Sequence, residues 1–131
     1  MSYLLDANVL INWLTGRFGV ATFMDELASG PEPLAVNAIS VAELYSGIAD
    51  ADLAATQRVM SAFDYWPIDE PTARLAGSYR YRYARLGTPL SVTDVVLAAH
   101  AVRRGATLIT SNLKDFPMPE LNVMHLPLES P

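Results

Sequence analysis

The feature that most restricts the fold is a rhythm: short apolar runs, brief enough for buried strands, alternate with longer segments whose apolar side chains recur at three- and four-residue spacing. Ser2 to Leu5, Leu34 to Val36, Tyr65 to Ile68, Thr107 to Thr110 and Asn122 to Leu126 are the strand candidates. Between the first two, Val9, Leu10, Trp13 and Leu14 keep helical spacing up to Gly16, and a second helix runs from about Val20 to Ala28 before Ser29-Gly30-Pro31. A further helix carries Val41, Leu44, Tyr45 and Ile48, with Ser40 as its expected N-cap and Glu43 completing a Ser-x-x-Glu capping box. Leu53 to Phe63 is helical, and Pro71 opens a helix through about Leu86. Alternation in Tyr79-Arg80-Tyr81-Arg82-Tyr83 also fits a strand, but the Leu75, Tyr79, Tyr83 and Leu86 face favours helix. Ser91 or Thr93 caps a helix from Asp94 to Arg104, which Gly105 ends. Strands alternating with helices imply βαβ units, and therefore a parallel sheet with helices on both faces.

The chain is expected to form one domain over residues 1–131, because half of it (51%) is apolar and a chain of this size can bury an adequate core without staples. It has no cysteine, which excludes disulfides and thiolate zinc sites and suits a reducing cytosol. His100 and His125 are the only histidines, too far apart for an HExxH-type zinc site and unaccompanied by a serine nucleophile pattern. The start lacks the basic segment and apolar run of a signal peptide, and no stretch approaches the roughly 18 uncharged apolar residues of a membrane span. A cytoplasmic protein with no membrane association is expected. A formal charge of −5 argues against the usual electrostatic footprint of nucleic-acid binders. Its distribution softens that objection, since Arg74, Arg80, Arg82, Arg85, Arg103 and Arg104 all fall between residues 74 and 104.

In open parallel sheets, ligands bind beyond the carboxyl ends of the strands. Asp6 ends the first strand, Glu43 lies early in the helix after the second, Asp94 begins a helix, and Asp115 follows the fourth strand. Taken singly, each has an ordinary structural role: an N-cap, a capping-box member, a partner of the helix dipole, a turn residue. Their convergence on one edge outweighs those four separate readings. Carboxylates gathered without matching lysines repel one another and need protons or a divalent cation. Oxygen-only ligands select Mg²⁺ or Mn²⁺, which hold phosphates and activate water.

Leu4-Leu5-Asp6-Ala7-Asn8-Val9-Leu10-Ile11, Ile39 through Gly47, Thr93 through Ala101, and Leu108 through Phe116 resemble, in order, the four motifs of PIN-domain nucleases. At this length the chain is similar to the toxin ribonucleases of VapBC toxin–antitoxin pairs. The resemblance implies a three-layer α/β/α sandwich around a mainly parallel sheet of four to five strands, with Mg²⁺ or Mn²⁺ dependence and endonucleolytic cleavage of RNA. It also implies a homodimer and a cognate antitoxin protein. Asp6, Glu43 and Asp94 match the first three acids. Many relatives place Asp where this chain has Asn112, which leaves Asp115 for the fourth; Asn8, Ser40 and Thr110 match supporting polar positions.

His100, about 120° around its helix from Asp94, is expected to be structural, and His125 to serve packing. Trp13, Leu14 and Phe18 suit either the core or a groove for an antitoxin helix. Arg74, Arg82 and Arg85 form a stripe that either steers phosphates or is simply solvated. The competing functions are a phosphoaspartyl phosphatase-like enzyme, disfavoured by Asn8 where general-acid chemistry is required, a housekeeping PIN nuclease in RNA processing, and a binding module without activity.

Overall fold

Residues 1–126 are described by the structure, a computed structural model in which five strands and six helices alternate along the chain. The strands are β1 (Tyr3–Leu5), β2 (Leu34–Val36), β3 (Asp64–Tyr65), β4 (Thr107–Thr110) and β5 (Asn122–His125). The helices are α1 (Ala7–Leu14), α2 (Val20–Ser29), α3 (Ala38–Tyr45), α4 (Leu53–Met60), α5 (Glu70–Arg85) and α6 (Val92–Arg104). The sheet order is β3-β2-β1-β4-β5, and every pairing is parallel. Strand β1 is therefore central, with Leu4 opposite Ala35 on one side and Leu108 on the other.

Successive side chains of a strand point to opposite faces, and here each row meets its own helices. Leu4, Ala35 and Leu108 pack with Ala76 and Tyr79 of α5 and Leu97, Ala98 and Ala101 of α6. Tyr3, Leu5, Leu34, Val36 and Ile109 pack on the other face with Val9 and Leu10 of α1, Val20 and Met24 of α2, and Leu44 of α3. Burial on both faces is why these strands are uninterrupted apolar runs rather than alternating ones. A fully buried leucine such as Leu4 or Leu5 contributes about 1.5–3 kcal/mol of transfer free energy. The expected α/β/α layering is thus present. Among the described residues, no helix is long and apolar enough to cross a membrane.

Three local expectations meet different outcomes. The tyrosine-rich segment is helical: Tyr79 and Tyr83 face the core while Tyr81 is exposed, and Asp69 caps α5 by accepting from the Thr72 N–H at 3.0 Å. Strand β3 is shorter than the Tyr65–Ile68 run suggests. The Trp66 N–H still bonds the Val36 carbonyl at 2.9 Å, but Pro67 has no N–H with which to continue the ladder. The cap of α3 is corrected: Asn37, not Ser40, is the N-cap, and Ser40 occupies the third helical position, where its Oγ accepts from the Asn37 N–H at 3.0 Å. Glu43 is consequently one turn deeper in the helix than a Ser-x-x-Glu box would put it.

Candidate active site

The chain leaves β1 and turns at once into α1, so Asp6 is both the end of the central strand and the cap of a helix. Its own N–H continues the sheet by bonding the Ile109 carbonyl at 3.0 Å, and the residue is only 5% exposed. One carboxylate oxygen, Oδ1, accepts from the Ala7 N–H at 2.8 Å, while Oδ2 accepts from Thr110 Oγ1 at 2.8 Å and from Asn8 Nδ2 at 3.4 Å. Asn8 is oriented from its other end, where Oδ1 accepts from the Ser111 N–H at 3.2 Å. Thr110 is itself held, with Oγ1 accepting from the Asn112 N–H at 3.1 Å. Residues from the ends of adjacent central strands thereby fix the direction of one carboxylate.

Asp94 lies in the first turn of α6, where its N–H donates to the capping Ser91 Oγ at 3.2 Å, and its side chain is half-buried. Glu43 is on the second turn of α3 and is largely exposed, and Asp115 ends a short 3₁₀ turn, Leu113–Asp115, after β4. Burial raises the pKa of Asp6 above the usual carboxylate range, against the donors Thr110 and Ala7, and the charge of Asp94 adds to the rise. Partial burial likewise raises Glu43, with further repulsion from Asp6 and Asp94. Asp94 is raised by burial and by the charge of Asp115, opposed by Ser91. The four predicted acids therefore share one electrostatic neighbourhood. Among the described residues, the side-chain ion pairs with Arg are Arg74–Glu70 and Arg103–Asp69, so no lysine or arginine neutralises the cluster.

Among the described residues, no group of three or more His, Asp and Glu side chains is arranged to chelate an ion unaided. A cation that keeps most of its waters and takes one or two carboxylates directly, the habit of Mg²⁺, needs no such cage. The donor set is all oxygen and carries uncompensated negative charge, and on both counts it fits such an ion.

Of the supporting residues, Asn8 and Thr110 touch Asp6 directly, and Asn112 reaches it through the Thr110 hydroxyl. Among the described residues, the Ser40 side chain bonds within the α3 cap. His100 is buried and points to Asn37, and His125 Nε2 lies 3.1 Å from the Ser111 carbonyl. Asn37 escapes the sequence reading, because a capping box is usually closed by Glu or Gln three residues on and here Ser40 closes it. Trp13 is half-buried, donating to Asp25 Oδ1 at 2.9 Å and packing on Phe63, whereas Phe18 is 69% exposed.

Residues 3–117 match the model of the PIN domain. The chain belongs to the PIN-domain family. This PIN domain is 30% identical over 115 residues to ribonuclease VapC19 of Mycobacterium tuberculosis, covering 88% of this chain and 92% of that protein. It is 32% identical over 127 residues to ribonuclease VapC10 of the same organism, covering 95% and 86% respectively. Among solved structures, VapBC2 from Rickettsia felis bound to a promoter DNA fragment superposes with a TM-score of 0.81, covering 95% of this chain and 98% of that one. At 21% identity, that likeness concerns the layered sheet and its helices.

Proposed function

We propose that this PIN domain, as one nuclease unit over residues 1–131, is a divalent-metal-dependent endoribonuclease and the toxin of a type II toxin–antitoxin pair. The observation that carries the reading is the cluster itself: Asp6, aimed by Thr110, Asn8 and the Ala7 N–H, repels Asp94 and Glu43, and among the described residues no basic side chain pairs with it. Asp6 and Asp94 are the residues that would hold Mg²⁺ or Mn²⁺, with Glu43 and Asp115 completing the acidic surround. Such an ion supplies an activated water and neutralises charge on a phosphodiester oxygen. The protein's own part is to keep Asp6 rigid and ionisable: Thr110 and the start of α1 offset burial, so the carboxylate can exchange a proton for a cation. The phosphatase alternative fits poorly, because Asn8 stands where general-acid chemistry needs an ionisable group and its amide is engaged at both ends.

RNA as substrate is supported by the ribonuclease names of the relatives, and an antitoxin partner by the VapBC titles of the structural neighbours. A surface cavity of about 320 Å³ beside Trp13, Val59 and Phe63 offers apolar lining for an antitoxin segment. A homodimer and a cytoplasmic location complete the proposal. The arginine stripe is less available for phosphates than its sequence suggests, since Arg74 pairs with Glu70 and Arg85 lies 3.2 Å above the Tyr81 ring.

Labelled single-stranded RNA incubated with the protein in Mn²⁺, in Mg²⁺ and in EDTA tests the reading. Cleavage should require the cation and vanish in EDTA while the circular dichroism spectrum stays unchanged, because the apolar core owes nothing to the ion. Full activity in metal-free buffer would refute it.

A further inference from the structure

We infer that His100 and Asn37 form a buried positioning pair that aims the start of α3, and with it Glu43, at the acid cluster. The role assigned to Glu43 rests on the nuclease reading above; the pair itself rests on hydrogen-bond geometry. Asn37 is fully buried and His100 is 2% exposed, so neither side chain can turn to water. Asn37 Oδ1 accepts from the N–H groups of Ile39 at 3.0 Å and Ser40 at 3.1 Å. A side-chain oxygen facing two backbone N–H groups fixes which end of the amide is which. Nδ2 is therefore the end that meets His100 Nδ1 at 2.9 Å.

Because Asn37 Nδ2 can only donate, Nδ1 must accept, which leaves the single proton of the neutral ring on Nε2. The neutral Nε2–H tautomer follows from the cap of α3 rather than from the ring's own preference. The remaining groups around His100 agree with a neutral ring. Burial first, and then Arg104 on α6, disfavour the imidazolium, opposed by Asp69 ahead of α5, and the Trp66 ring stands edge-on at 6.0 Å. A polar cavity of about 240 Å³ beside the ring is lined by Pro67, Asp69, Thr72, His100, Arg103 and Arg104, with the Arg104 guanidinium 4.2 Å above the Trp66 ring.

The mechanical consequence lies on α3. This helix has eight residues, and its first turn is tied down by Asn37 and Ser40, so the direction of Glu43 is set by how firmly that cap is held. His100 acts through Asn37; it is a positioning residue, not a catalytic one. Protonation of Nδ1 would set N–H against NH₂, break the pair and loosen the first turn without removing any acid from the site.

Four variants of the full chain, H100A, H100N, N37D and E43Q, test this alongside wild type by ¹⁵N NMR of the imidazole, amide hydrogen exchange, and steady-state RNA cleavage in Mn²⁺. Wild type should show an unprotonated Nδ1 and a protonated Nε2 at neutral pH. His100→Ala should lose exchange protection at Ile39, Ser40 and Val41 and lower kcat by about tenfold to a hundredfold with KM little changed. His100→Asn places an untitratable acceptor near the position of Nδ1, so it should restore protection and kcat. Asn37→Asp keeps the cap but offers Nδ1 an oxygen, so His100 should become doubly protonated at neutral pH, a readout that survives even if His100→Ala fails to fold. A protonated Nδ1 in wild type, or full protection and kcat in His100→Ala, would overturn the pair. Wild-type cleavage by Glu43→Gln would instead remove Glu43 from the site. That failure is distinct, since tautomer and exchange are read without reference to cleavage.

Discussion

Replacing Thr110 with valine keeps the volume of a fully buried side chain and deletes one hydroxyl that does two things. It donates to Asp6 Oδ2 at 2.8 Å and accepts from the Asn112 N–H at 3.1 Å. A hydrogen bond to a charged acceptor contributes about 1.5–3 kcal/mol, and the Asn112 N–H, at an exposed residue, regains water at little cost. The added methyl returns about 0.8 kcal/mol of burial, so the net loss should be about 1–2 kcal/mol. For a chain of this size, that is a fall in Tm of about 3–10 °C. The same donor holds the Asp6 pKa down against burial, so its loss pushes Asp6 further up and moves the acid limb of the cleavage profile to higher pH. Thermal melts by circular dichroism, with initial cleavage rates in Mn²⁺ from roughly pH 5 to 8, read both effects. Thr110→Ser should recover both. A Thr110→Val protein with wild-type Tm and an unmoved acid limb would show that this bond neither stabilises nor tunes Asp6.

Asp6→Asn and Asp94→Asn should each abolish RNA cleavage, and Asp94→Asn should melt no lower than wild type in metal-free buffer at neutral pH. The Asp94 carboxyl is raised in the folded chain, so it adds stability below the ordinary carboxylate pKa that is lost as pH rises through the raised value; the amide avoids that loss. Wild-type cleavage by either variant would displace the site. Asn112→Ala with Asp115→Ala should lose more cleavage than the two single losses combined, and strictly additive small losses across a Mg²⁺ titration would exclude this turn from the site. Gly105→Ala, at φ +63° behind α6, should cost about 1 kcal/mol in denaturant melts with cleavage unchanged, and an unaffected midpoint would contradict the left-handed cap.

The layered fold was legible in the sequence because its signals are local. Apolar runs such as Leu4-Leu5 and Leu108-Ile109 mark strands buried on both faces, and Ser91 and Gly105 punctuate α6. Asp6 was legible for the same reason, since it follows directly on such a run, whereas Asp115 lies five residues beyond β4. What escaped depends on partners distant in the chain. Asn37 reads as an ordinary polar residue until His100, sixty-three positions later, is seen against it. Ser40 and Glu43 fit the usual Ser-x-x-Glu pattern, whereas the box that forms joins Asn37 and Ser40, and only backbone geometry separates the two. The end of β3 hinged on Pro67, whose missing donor outweighs the apolar Ile68 beyond it.

The bond between Thr110 and Asp6 joins positions 104 residues apart, across two strands that are neighbours in space and distant in sequence. At about 5–20 residues per second, a ribosome needs roughly 5 to 20 seconds between placing the first partner and the second. Throughout that interval β1 has no β4 beside it, and Asp6 lacks both the hydroxyl that aims it and the Ile109 carbonyl that anchors its backbone. The site around Asp6 thus cannot assemble until β4 has been made. A cell making this nuclease has that delay, written into the strand order, in which to supply whatever restrains it.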